Sequence, residues 1–565
     1  MPVSGGLSPD ASVAATDVTN ETHPPDPPSD RLGWEDGLWY NETISVTPED
    51  GLNDSELELV VARGMARVEK IRGIEFEETP PVEVISREQF REENSGRYAN
   101  VTEDQRLAEN VYYEALLMVN ESRDAVAVQK SNSAGGIGGY YDPGNGEIKI
   151  VSENTETPQM DEITLSQELF HALQDQHFNL SSYDYSTRET HNANDGVVEG
   201  DGNYVDHLYN ERCQDQWEGT CLMPDDGGAP SDFEPHFGLY QIRLQPYSDG
   251  PAFVRQIRDE GGWEAVNEIY ENPPESTEQT IHPDKYGEDS PSNVTVVDTA
   301  SGEWERLSIN DSASYESFGE AGLFVTLWYP GYKVLAHGQD GEPIIPTMEH
   351  FNLDGESIDQ FEPYNYDNEY TAGWDGDKLV PYVTDNSAET SETGYVYKLV
   401  WDTEDDATEF VDGYLKLLEF HGTEPVESNE STYRIPDDRE FGDAFYVNVN
   451  GTTVTIVNGP TVGDLSEIRA GAAPAVDSDP GETGTDPGET TTGPGETTTE
   501  SSEPTTTDST TPTATSDETT APSTDGTGPN EETTDTGSGF GPGFGVTVAL
   551  IALLASVAVA ARRLA

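Results

Sequence analysis

Gln167-Glu168-Leu169-Phe170-His171 has the spacing of a metal centre carried on a helix. Positions 167 and 171 are one turn apart and face the same side. In an H-E-x-x-H helix the two outer positions are imidazoles that hold zinc. The carboxylate after the first is the general base that acts on the metal-bound water. Here Glu168 and His171 are in place, and the first ligand position is Gln167. Glu199 follows 28 residues beyond His171, inside Val198-Glu199-Gly200-Asp201. A second helix could carry it to the third ligand position.

A neutral amide oxygen is a poor zinc ligand beside an imidazole. Three readings therefore stand together. In one, the fold is kept and hydrolysis is lost. In another, Gln167, His207 or a water completes a working zinc site with Glu168 as base. In the third, Glu168 and His171 satisfy each other inside a core. Glu199, Asn203 and His207 share one helical face at i, i+4 and i+8, so His207 is a substitute ligand or a surface histidine. Glu278 and His282 share a turn. They line a substrate cleft or cap the bend at Pro283.

The elements that must position these residues read as follows. Leu57 to Ile71 has apolar residues at helical spacing. Val82 to Ile85 reads as a strand. Gly139 to Val151 reads as strand, turn and strand about Pro143-Gly144-Asn145-Gly146. Pro158 and Asp161 open a helix that runs to about Phe178. Ala252 to Tyr270 is a helix broken near Gly261-Gly262. Leu399 to Phe420 is a strand and then a helix, and Phe445 to Val457 is a hairpin turning at Asn450-Gly451. Helices and strands mix without a βα rhythm, which predicts an α+β class.

The helix around Glu168 resembles the H-E-L-T-H-A-L-Q-D-Q-H-F-D-L helix of a zincin-like metallopeptidase family of bacteria and archaea. Other blocks are similar in the same order. They are Gly139 to Val151, Glu199-Gly-Asp201, Pro246-Tyr247, Phe253-Val254 with Gly261-Gly262-Trp263, Pro273 to Gln279, His282 to Tyr286, Gly373 to Asp377, and Val400 to Phe410. The resemblance covers residues 57 to 420. It implies a zincin-like fold with a mixed sheet over the Gln167-His171 helix. It also implies metal positions at 167, 171 and 199, a base at 168 and zinc as cofactor, with Gln167 weakening the zinc site.

The chain of 565 residues carries 110 Asp and Glu against 28 Lys and Arg, a formal charge of −82. That excludes a nucleic-acid partner held through basic patches, since phosphate would be repelled. Aromatic residues make up 9% of the chain, enough to exclude disorder throughout. In molar salt the screening length falls to roughly 3 Å and the self-repulsion fades. The balance resembles that of proteins from halophilic archaea.

Residues 1–30 read as a flexible segment and 31–470 as the body. Residues 475–539 are nearly all Thr, Ser, Glu, Asp, Gly and Pro, the composition of a disordered stalk. Phe544 to Ala561 carries no charge and precedes Arg562-Arg563, as a transmembrane span would. Pro542-Gly543-Phe544, this span and the arginines resemble the sorting signal of haloarchaeal surface proteins. In that family an archaeosortase removes the span and attaches lipid. No signal peptide is visible near Met1, so the expectation is a start further upstream. Ten N-x-Ser/Thr sequons are present, the pattern of a glycoprotein. Cys213 and Cys221 are eight apart, close enough to staple a loop in an oxidising compartment or to remain two thiols.

Together these observations predict an archaeal cell-surface protein joined to the membrane through its C-terminus. Its zincin-like body is expected to be catalytically degenerate, a binding or structural module among S-layer or envelope glycoproteins. The alternative is an active zinc-dependent peptidase acting on envelope or environmental proteins.

Overall fold

The structure, a computed structural model, describes residues 26–47, 50–133, 137–219, 221–223, 235–310, 312–355 and 357–476. Residues 1–25, almost all of the expected stalk at 475–539, and the sorting signal with its span at 544–561 lie outside the described residues. Among the described residues no helix is long and apolar enough to cross a membrane.

The first half runs β1 (Trp34–Glu35), β2 (Leu38–Trp39), α1 (Asp54–Arg72), β3 (Val82–Ser86), α2 (Arg87–Arg97), α3 (Glu103–Ala115), α4 (Ala125–Asn132), β4 (Gly139–Asp142), β5 (Glu147–Ser152), α5 (Glu162–Phe178), α6 (Arg188–Asp215), α7 (Phe237–Glu271) and α8 (Thr277–Ile281). The second half runs β6 (Glu305–Arg306), α9 (Gly319–Tyr332), β7 (Leu353–Asp354), β8 (Ser357–Ile358), β9 (Trp374–Val383), α10 (Ser387–Thr390), β10 (Gly394–Trp401), α11 (Glu404–Phe420), β11 (Glu424–Pro425), β12 (Thr432–Arg434), β13 (Ala444–Asn450), β14 (Thr453–Gly459) and α12 (Val462–Ile468). The class is mixed α+β.

Two sheets organise this order. A small mixed sheet has the order β3-β5-β4, with β3 parallel and β4 antiparallel to β5. It shares a core with α1, α5 and α6. An antiparallel sheet of seven strands has the order β11-β12-β13-β14-β10-β9-β6. Side chains alternate across a strand. On β10, Tyr395, Tyr397, Leu399 and Trp401 enter the core shared with α3, α7, α9 and α11. Val396 points to the other face, which α12 covers.

The helices that matter for the site are set by local chemistry. On α5, Asp161 caps the start by accepting from the Ile163 N–H, and Asn179 ends the helix in the left-handed region at φ 50°. On α6, Thr187 is the N-cap. Helix α7 continues through Pro246 and Pro251 and is interrupted at Gly262, where φ is 73°. A proline inside a helix frees the carbonyl four residues back. For Pro246 that carbonyl is Ile242 O, and Asn192 Nδ2 on α6 donates to it at 2.7 Å.

Helices α6 and α7 touch through backbone. A Cβ added at Gly200 would stand 2.7 Å from Gly250 C and 2.8 Å from Gly250 O. Gly200→Ala therefore has to push the helices apart. Overpacking of this kind costs about 1–3 kcal/mol. A lower denaturation midpoint is the expected result, and an unchanged midpoint would contradict the close crossing.

Candidate functional site

The Arg side chains of α1 lock the two site helices. Arg63 Nη2 and Arg67 Nη1 reach Glu162, the first residue of α5, at 2.9 and 2.5 Å. Arg72 Nε reaches Asp201 on α6 at 3.0 Å. All five side chains are buried. Cys213 and Cys221 are joined, and Arg67 Nη1 lies 3.1 Å from Cys221 Sγ, so the bridge ties the end of α6 to the same cluster.

Against this frame α5 presents Gln167, Glu168 and His171, and α6 presents Glu199. Their exposures are 3, 1, 3 and 1%. His171 Nε2 lies 3.4 Å from Glu199 Oε2. The approach depends on Gly202, where a Cβ would stand 3.2 Å from His171 Cε1. Strand β4 lies over Glu168. A Cβ at Gly139 would stand 3.5 Å from Glu168 Cγ, and the Tyr141 backbone N–H donates to the Glu168 carboxylate.

The tautomer of His171 follows from its neighbours. Gln174 Nε2 donates to Val198 O at 2.8 Å and to Tyr270 Oη at 2.6 Å, which leaves Gln174 Oε1 as acceptor. His171 Nδ1, 2.7 Å from that oxygen, carries the proton. Tyr270 Oη in turn donates to Asp201 Oδ2 at 2.8 Å. Nε2 therefore faces Glu199. Burial pushes the imidazolium down, but Glu199, Glu168 and Gln174 outweigh it, and the His171 pKa is raised to about 10. Burial lifts Glu168 to about 7, with His171 opposing and Glu199 adding. The centre is a buried imidazolium–carboxylate pair beside a carboxyl that titrates near neutrality.

Zinc can be tested against this donor set. Ligand atoms of a tetrahedral zinc with bonds of ~2.0–2.1 Å stand about 3.3 Å apart. His171 Nε2 and Glu199 Oε2 match that edge. The third position is the Gln167 amide, buried with no hydrogen-bond partner for Nε2 among the described residues. Two strong donors and an amide do not make the three-ligand set of a zincin.

The other expected residues stand elsewhere. His207 Nε2 lies 3.7 Å from Glu211 Oε1, with its ring edge-on to Phe361 at 4.8 Å and its side chain 40% exposed. Glu278 takes a bond from Lys285 Nζ at 2.5 Å, and His282 Nε2 lies 3.1 Å from Glu320 Oε1. Sequence reasoning missed two neighbours of the centre. Tyr247 hydrogen-bonds to Glu199. Half-buried Asp206 lies where the charges of His171 and Glu168 act on it. Its spacing of seven from Glu199 places it on the same helical face, a signal that was available.

Residues 305–469 match a family described as Domain of unknown function (DUF8575). That span holds the seven-stranded sheet from β6 with α9, α11 and α12, and leaves α5 and α6 outside it. Residues 541–563 match the PGF-CTERM motif. The motif marks a cell-surface archaeal protein anchored at the membrane through its C-terminus, with an archaeosortase as the enzyme that reads it. No curated protein matches the chain, and no solved structure does.

The ion pair has a pH signature. The folded pKa of His171, about 10, lies above its ordinary 6.5, so its stabilisation is complete below about 6.5 and is lost as pH rises through about 10. Glu168 is an acid raised from 4.5 to about 7, so its burial lowers stability as pH rises across that interval. The His171 ring, followed by NMR, should stay protonated at mildly alkaline pH. In Glu199→Gln the largest group opposing burial is gone while Glu168 and Gln174 remain, so the His171 pKa should fall well below its wild-type value. A ring that titrates near the ordinary value in the wild type would sink this assignment.

Proposed function

We propose that the protein is a non-catalytic module on the surface of a halophilic archaeon. In this reading the body descends from a zincin-like peptidase whose hydrolytic centre is now an ion pair. It is joined to the membrane through the Thr-rich segment and contributes binding or structure among envelope glycoproteins. The observation that carries the reading is Gln167 in the first ligand position within a centre whose four side chains are at most 3% exposed. A peptide bond has no contact with Glu168 while β4 covers it. The excess of acidic residues and the sorting motif support the setting.

A second reading, a working zinc peptidase, draws on the Glu168 pKa of about 7, which suits a general base, and on the 3.4 Å His171–Glu199 edge. The full-length chain in molar KCl separates the two. No hydrolysis of casein by wild type, with Glu168→Ala indistinguishable from it, is the expected outcome. Gln167→His should gain one equivalent of zinc over wild type. Casein hydrolysis by wild type that Glu168→Ala abolishes would overturn the first reading and establish the second.

A further inference from the structure

A different part of the molecule gathers a fuller set of metal donors. His282 follows α8, Glu320 lies in the first turn of α9, and Asp367 lies in the segment before β9. One ligand atom from each lies within 4.8 Å of the other two. His282 Nε2 and Glu320 Oε1 are 3.1 Å apart, close to the edge of about 3.3 Å expected for two ligands on one tetrahedral ion. We propose that His282, Glu320 and Asp367 bind a divalent transition metal of the zinc class.

Three observations carry the assignment. The donor set is a neutral imidazole and two carboxylates, a formal charge of −2 that a divalent ion neutralises. An imidazole selects zinc-class ions over calcium or magnesium, which take oxygen ligands. Glu320 is fully buried, and its second oxygen, Oε2, has no hydrogen-bond partner among the described residues. An ion pair with His282 accounts for Oε1 and leaves Oε2 unexplained. Burying a carboxylate with half its acceptors unused is costly.

Lys285, the ammonium nearby, is held by Glu278, Asp402 and Asp289 at 2.5, 2.9 and 3.1 Å. It is committed to that neighbouring cluster. The site also has an entrance. Asp367 is exposed, and the His282 side chain is 24% exposed. An ion there would clamp three segments distant in sequence, the end of α8, the start of α9 and the approach to β9.

Cobalt(II) is a suitable probe, because its visible absorption reports coordination directly. The full-length chain, stripped with a chelator in molar KCl, should take up one equivalent with the absorption of a four-coordinate ion, and its Tm should rise. Asp367→Asn removes a donor at an exposed position with little risk to the fold. It should weaken binding at least about tenfold, as should His282→Gln. No saturable uptake, or uptake that Asp367→Asn and His282→Gln leave undiminished, would overturn the proposal. Neither result bears on the α5–α6 reading, which is scored by Glu168-dependent hydrolysis.

Discussion

In a chain with 110 Asp and Glu against 28 Lys and Arg, buried acids such as Glu168, Glu189 and Glu199 have no Lys or Arg partner among the described residues, and the interior is arranged around that shortage. Burying an unpaired charge is the costliest thing a fold can do. The few buried cations are accordingly concentrated. Arg63 and Arg67 share Glu162, Arg72 takes Asp201, and the half-buried Arg188 bridges Glu109 and Glu316. Each of these pairs joins segments far apart in sequence. Acids left without a cation hold protons instead. Burial raises Glu189 to about 8, although Thr277 donates to it twice. In the Glu114–Glu121–Asp443 cluster burial likewise raises Glu114 and lifts Glu121 to about 8.

The candidate site is one instance of this economy. Glu199 is buried, and no arginine or lysine reaches it among the described residues, so the imidazole of His171 becomes its counter-ion. Gln174, held by Val198 and Tyr270, fixes which nitrogen faces Glu199. The neutral amide at 167 adds no charge that this pair would have to balance. An imidazole there would place a second basic group beside His171, an arrangement that a metal ion, but not a single carboxylate, readily organises.

Much of this was legible in the sequence, and the failures have physical causes. Asp161 and Gly262 are local signals, because a cap and a left-handed residue are decided within a few positions; the hairpin was legible too, but its turn is Gly451-Thr452 and not Asn450-Gly451, since Asn450 pairs with Thr453. The first half of α7 was not legible. A helix that continues through Pro246 and Pro251 leaves no local signal, and the donor that repairs the Pro246 gap is Asn192, on another helix. Helix α9 was missed for a similar reason. Its apolar run has no period, and its start is capped from a distance by Asp377 on β9, which accepts from the Phe318 and Gly319 N–H groups at 3.0 and 3.3 Å. At the site, the 167–168–171 spacing was readable. The depth of burial was not, because it depends on β4 lying across Glu168 and on Gly202 admitting the imidazole.

That burial also bears on what the presence of His171 and Glu199 means. Two ligand-type residues at zincin spacing invite a catalytic explanation. Yet once both are enclosed at 3 and 1% exposure, neither can be lost alone without stranding the other. Removing one partner of a buried ion pair typically costs about 3–5 kcal/mol, a large part of a domain's net stability. Packing constrains them as well, since Gly202 leaves only enough room for the ring that is there. The pair would persist on stability grounds in a chain that never bound zinc. Gln167 is free of that constraint, because an uncharged amide strands no partner when it replaces an imidazole. Under the proposed reading, the first ligand is therefore the position at which such a centre can be dismantled at least cost, and it is the position that differs here.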